Sequence, residues 1–161
     1  MNGANLITMR LASLSMAKAM PTEHSKKAGH LLMILPAGKD WHAAAGQSVA
    51  QAVLKRRGKK TDSLGKAPLT VELPNGSLSV WLGLEADKPA FDWHEQLRKG
   101  LKTLLDEHPA EIAIAVHGDD AFRERAARAA AYVAWLNGAP LSHWKSEKPA
   151  APLKRIVLHG V

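Results

Sequence analysis

Lys55-Arg56-Arg57-Gly58-Lys59-Lys60 packs five cations into six residues. Side chains of that kind, closely spaced, neutralise neighbouring phosphates without reading bases, so nucleic-acid binding through Lys55, Arg56, Arg57, Lys59 and Lys60 would depend steeply on salt. The plainer alternative is a basic helix end running into a solvated loop, and no aromatic residue is interleaved to stack a base. The basicity is local. Residues 1–60 hold ten Lys and Arg against Glu23 and Asp40, a balance of +8, whereas the remainder holds twelve against thirteen. The body of the chain is therefore nearly neutral.

His117-Gly118-Asp119-Asp120 follows an apolar run and precedes a helical pattern, which puts it at the carboxyl end of a strand beside a helix N-terminus. Ligands of open α/β sheets favour that edge, and free backbone N–H groups there suit phosphate. His117, Gly118 and Asp119 are thus candidate ligand-binding residues for a nucleotide. On the other reading, Gly118 makes the turn and an aspartate caps the helix. Two aspartates would repel a phosphate unless Arg123 compensates.

Other chemistry finds less support. The eight histidines are scattered, and Trp93-His94-Glu95-Gln96-Leu97 is followed by Arg98 where a zinc-protease helix needs its second His. No metal and no cofactor is expected. No serine sits in a Gly-x-Ser-x-Gly elbow, and Pro36-Ala37-Gly38-Lys39 lacks the second Gly and the Lys-Ser/Thr pair of a phosphate-binding loop. With no cysteine, disulfides, thiolate metal sites and cysteine nucleophiles are all excluded, which fits a reducing, cytoplasmic compartment. No run approaches the roughly 20 apolar residues that cross a bilayer, so no membrane contact is expected.

The elements that would position these groups are legible from pattern. At 161 residues, 46% apolar and 23% charged, the chain suits one globular domain. His30 to Pro36 reads as a strand buried on both faces. Asp40 is a candidate N-cap for a helix from Trp41 to Arg57, with Ala45, Val49, Ala52 and Val53 on its stripe and Gly58 as its terminator. Leu69–Leu73 and Leu78–Leu82 flank Pro74-Asn75-Gly76-Ser77, a hairpin signal. A helix from about Trp93 carries Leu97, Leu101, Leu104 and Leu105, and Pro109 ends it. Glu111–Val116 reads as a core strand. Asp119 or Asp120 opens a helix with Phe122, Ala126, Ala130 and Val133 on one face, whose many alanines permit close approach to a sheet or a partner. After a loop over 146–152, Leu153–Leu158 is the last strand. The order implies a three-layer α/β/α sandwich around a mixed, mostly parallel sheet.

Residues 1–29, basic and rich in Ser and Ala, read as a leader or flexible tail, with residues 30–161 as the domain. Trp81 belongs in the core. Trp41, Trp93, Trp135 and Trp144 stand near element ends, and Trp135 and Trp144 are the candidate interface residues.

The Gly65-Lys66 segment before the hairpin, Val80-Trp81-Leu82-Gly83-Leu84 before an acidic loop, and Leu97-Arg98-Lys99-Gly100 resemble the N-terminal domain of the leucyl aminopeptidase family. So does the stretch from Ala130-Ala131-Tyr132-Val133-Ala134-Trp135 to Trp144-Lys145-Ser146-Glu147-Lys148. The resemblance spans about residues 30–160. It implies a fold similar to macro domains, which elsewhere bind ADP-ribose, and a domain that in the family helps organise a hexamer. Some bacterial members also bind DNA. The family's catalytic half carries a motif close to Asn-Thr-Asp-Ala-Glu-Gly-Arg with metal-binding lysine and carboxylates. No equivalent occurs before the chain closes on Ile156–Val161, so no catalytic residue carries over. The expectation is a non-catalytic assembly, regulatory or interaction module, partnered by itself or by a full-length aminopeptidase subunit. Nucleic-acid binding and nucleotide or ADP-ribose binding stand as alternatives.

Overall fold

Leu31, Leu32, Met33, Ile34 and Leu35 are all buried in strand β2, His30–Pro36. A strand that is apolar on both faces needs cover on both. The computed structural model, which describes residues 11–21, 29–38, 46–139 and 151–161, supplies that cover. The other strands are β1 (Ser13–Ala17), β3 (Leu69–Glu72), β4 (Leu78–Leu84), β5 (Glu111–Val116) and β6 (Arg155–His159). The helices are α1 (Gln47–Arg56), α2 (Ala90–Leu105) and α3 (Asp120–Gly138). The sheet order is β1-β6-β5-β2-β4-β3, parallel throughout except for the β3–β4 pair.

Register sorts the side chains into two cores. Leu32 lies beside Val80 and Ile114, and Ile34 beside Leu82 and Val116. This set packs with Leu97, Leu101 and Leu104 of α2 and Phe122, Ala126 and Ala130 of α3. Leu31, Met33, Leu35, Trp81, Ala113 and Ala115 face the other way and pack with Ala50 and Leu54 of α1. The expected three-layer α/β/α sandwich with a mostly parallel sheet is the observed architecture.

The hairpin turns over Pro74 and Asn75. Gly76 N–H donates to Leu73 O at 2.9 Å and Leu73 N–H to Ser77 O at 2.8 Å, with Gly76 left-handed at φ 79°, the three-residue form of a hairpin loop. His30 clips three elements together, because its Nδ1 accepts from Leu78 N–H at 3.3 Å and its Nε2 meets Glu107 at 2.5 Å.

Four details differ from the sequence reading. In α1 the packed stripe is Val49, Ala50, Val53 and Leu54, with Ala52 exposed, and Asp40 and Trp41 lie outside the described residues. Helix α2 starts at Ala90, ahead of Trp93, directly after an extended Pro89. The alanines of α3 face inward: Ala126, Ala127, Ala130, Ala131 and Ala134 are buried, so the small residues serve close approach to the sheet rather than to a partner.

The fourth difference concerns the segment read as a leader or tail. Ser13–Ala17 is a strand of the sheet, paired in parallel with β6. Neither of its faces is buried, so it has no apolar pattern to betray it; backbone bonds and distant anchors hold it instead. Trp135 Nε1 donates to Ala12 O at 2.8 Å, and His159 Nδ1 lies 2.7 Å from Ala19 O. Trp135→Phe keeps most of the packing and removes that bond, a loss of about 1 kcal/mol. Hydrogen exchange should then speed up at residues 13–17 while β2 and β5 keep their protection. Equal loss across the sheet would show that Trp135 supports the whole core instead.

Candidate functional site

The chain leaves β2 through α1 and the hairpin to reach β4 on one side, and leaves β5 through α3 to reach β6 on the other. The connections part between β2 and β5, so the carboxyl ends of these two strands form the topological switch point where open α/β sheets bind ligands. His117, Gly118 and Asp119 stand there, as their position after β5 predicts. His117 N–H donates to Ile34 O at 2.9 Å, continuing the β2–β5 ladder. Gly118 has φ 130°, and a side chain on it would meet Phe122 at 2.7 Å and Pro36 at 3.0 Å, so only glycine fits the turn.

Asp119 Oδ1 accepts the Phe122 N–H at 2.9 Å as the N-cap of α3, and Asp120 pairs with Arg123. Turn and cap thus account for the polar residues of this edge, and Phe122 with Pro36 fills the space before Gly118. One group stays unaccounted for: His117 is half-buried and its Nε2 has no hydrogen-bond partner among the described residues. Burial first, and the Arg123 charge second, push the imidazole below its ordinary value of 6.5.

The basic cluster lies near the same edge of the sheet. Gly83 on β4 leaves room for the 3₁₀ segment Thr61–Gly65, since a side chain there would meet Gly65 N at 3.1 Å and Ala37 Cα at 3.4 Å. At the end of α1, Gly58 N–H donates to Lys55 O at 3.0 Å and Lys59 N–H to Leu54 O at 2.9 Å, with Gly58 left-handed at φ 62°. This paired reversal is a Schellman motif. It turns Lys59 and Lys60 back so that they line, with Lys55, Thr61, Asp62 and Gly38, an open groove of about 410 Å³. Arg56 and Arg57 are exposed and are not among its walls.

A third feature, which the sequence reading did not single out, lies on the outer face of α2 and α3. Two open grooves of about 560 and 480 Å³ meet at His94 and Tyr132, whose rings are 5.4 Å apart. The floor is rigid: Arg125 stacks 3.9 Å from the Trp93 ring centroid and donates to Ala86 O and Lys88 O at 2.9 and 2.7 Å. Trp93 in turn donates to Glu85 O at 2.7 Å. Around the grooves Phe91, Tyr132 and Leu136 are 75%, 51% and 53% exposed. Of the expected interface pair, Trp135 is half-buried and bonded within the chain, and Trp144 lies outside the described residues. No three His, Asp or Glu side chains among the described residues converge as metal ligands, and none of their helices is long and apolar enough to cross a membrane.

The sequence matches no known protein family and no curated protein. Among solved structures, the chain is similar to a mutant of tomato leucine aminopeptidase, with a TM-score of 0.63 at 16% identity over 97% of this chain. It spans 34% of that enzyme's length. The likeness is one of fold at the level of a domain.

The His117 geometry carries a pH signature. An unfolded chain protonates this imidazole at a pH where the folded one does not, so stability falls as pH drops below 6.5 and levels off once the folded imidazole titrates. His117→Gln should flatten that fall. Urea unfolding of both proteins from about pH 7.5 to about pH 5.5 checks it; an unchanged slope would place the titrating group elsewhere.

Proposed function

We propose that the chain is a non-catalytic interaction module, a relative of the leucine aminopeptidase N-terminal domain, that assembles with a second copy of itself through the outer face of α2 and α3. The observation that carries this reading is the presence of projections and hollows on one face. Phe91, Tyr132 and Leu136 project, and the two grooves that they border are open. A two-fold interface brings the same patch together from both subunits, so each copy must supply both knob and hole, as this face does. Burying an exposed Phe or Leu side chain contributes about 1.5–3 kcal/mol, and aromatic anchors set in pockets dominate interface energies.

The fold-level likeness to leucine aminopeptidase supports the family part of this reading, and the sequence motifs quoted above support it further. The inward-facing alanines of α3 move the expected contact away from the alanine-rich stripe and onto the opposite face of the same helix. Phe91→Ser with Leu136→Ser replaces two exposed side chains and leaves both cores untouched. In sedimentation equilibrium the unaltered chain should run as a dimer or larger, and the double variant should weaken association by at least about tenfold. An unaltered chain that stays monomeric at high micromolar concentration would reject self-assembly. An oligomer indifferent to the two substitutions would reject this face.

A further inference from the structure

We propose that the groove between the end of α1 and the turn at Gly38 binds a short chain of linked phosphates, such as inorganic tripolyphosphate or the phosphate tail of a nucleotide. The inference is independent of self-assembly, since the groove and the α2–α3 face share none of the described residues. It rests first on clustered charge that has no carboxylate partner among the described residues. Elsewhere, Lys88, Lys99, Lys102, Arg123, Arg128 and Arg155 each sit beside a carboxylate, and the described cations without one, Lys18, Lys66, Arg98, Arg125 and Lys154, are scattered along the chain. Among the described residues, none of Lys55, Arg56, Arg57, Lys59 and Lys60 has such a partner.

It rests next on direction. The Schellman turn at Gly58 gathers Lys55, Lys59 and Lys60 on one groove, against one carboxylate among the described residues, that of Asp62. The helix C-terminus would itself repel an anion. Here, however, the Leu54 and Lys55 carbonyls already accept Lys59 and Gly58 N–H groups. Ammonium groups on flexible stems act as point charges and do not impose the planar fork of arginine, so they suit successive phosphates at adjustable spacing.

Size and composition agree with this ligand. A groove of about 410 Å³ is on the scale of a small-molecule site. Among the described residues no aromatic side chain lines it, so these walls offer no stacking platform for a base. The phosphates, not the nucleoside, would be recognised. A nucleic-acid duplex, in contrast, would draw on Arg56 and Arg57 as well.

Titration calorimetry with sodium tripolyphosphate tests the proposal, using full-length chains. Lys55→Gln with Lys59→Gln and Lys60→Gln should weaken binding by at least about tenfold, while Arg56→Gln with Arg57→Gln should weaken it by less than about threefold. Asp62→Asn removes the opposing charge and should tighten binding, a gain that misfolding cannot mimic. All three effects should shrink in high salt. ATP binding as tightly as tripolyphosphate would identify a nucleotide tail as an equal source; binding only to tripolyphosphate would favour the inorganic chain. No binding at millimolar ligand, equal losses in the lysine and arginine variants, or binding of duplex DNA alone would overturn the groove.

Discussion

Two-sided burial of β2 is the constraint on which the rest of the structure depends. The strand bonds to β4 on one edge and β5 on the other, while Leu32 and Ile34 face one core and Leu31, Met33 and Leu35 the opposite one. Any arrangement that left either face wet would lose several fully buried side chains, each contributing about 1.5–3 kcal/mol. Helices must therefore cover both faces, and parallel strands require the crossovers that put them there. Layer order, strand order and the switch point between β2 and β5 all follow from this requirement.

The same requirement decides where chemistry can occur. The interior is closed to charge: among the described residues the buried polar side chains are Ser77 and Ser79. Titratable groups are pushed to strand ends and outer helix faces. At the end of β5 a turn and a cap absorb Gly118 and Asp119, leaving His117 Nε2 without a partner among the described residues. Among the described residues, the outer face of α2 and α3 and the groove at the end of α1 are open. Open surfaces of this kind suit the contact role proposed above.

Local signals were legible in the sequence. Unbroken apolar runs gave β2 and β5, Pro74-Asn75-Gly76 marked the hairpin, and of the two aspartates that could open α3, Asp119 is the cap. β1 was illegible because it has no buried face and is held by Trp135, a residue that packing alone brings near. The alanines of α3 are buried against the core, and a small side chain looks alike in sequence whether it admits a sheet or a partner. The exposed apolar surface of α3 is legible in Tyr132 with Leu136, a pair one turn apart that falls off the Phe122, Ala126, Ala130 stripe. The basic run was plain as composition. Which of its cations converge depends on backbone reversal at Gly58, and that reversal is a property of the fold.

The most direct test of contact through the α2–α3 face is hydrogen–deuterium exchange measured on the same protein at low and at high concentration. Protection should appear with concentration over residues 90–98 and 129–137, while residues 13–17 and 55–60 exchange at rates independent of concentration. Protection confined to 13–17 would move the interface to the β1 edge of the sheet, and exchange that never changes with concentration would contradict assembly by this chain alone.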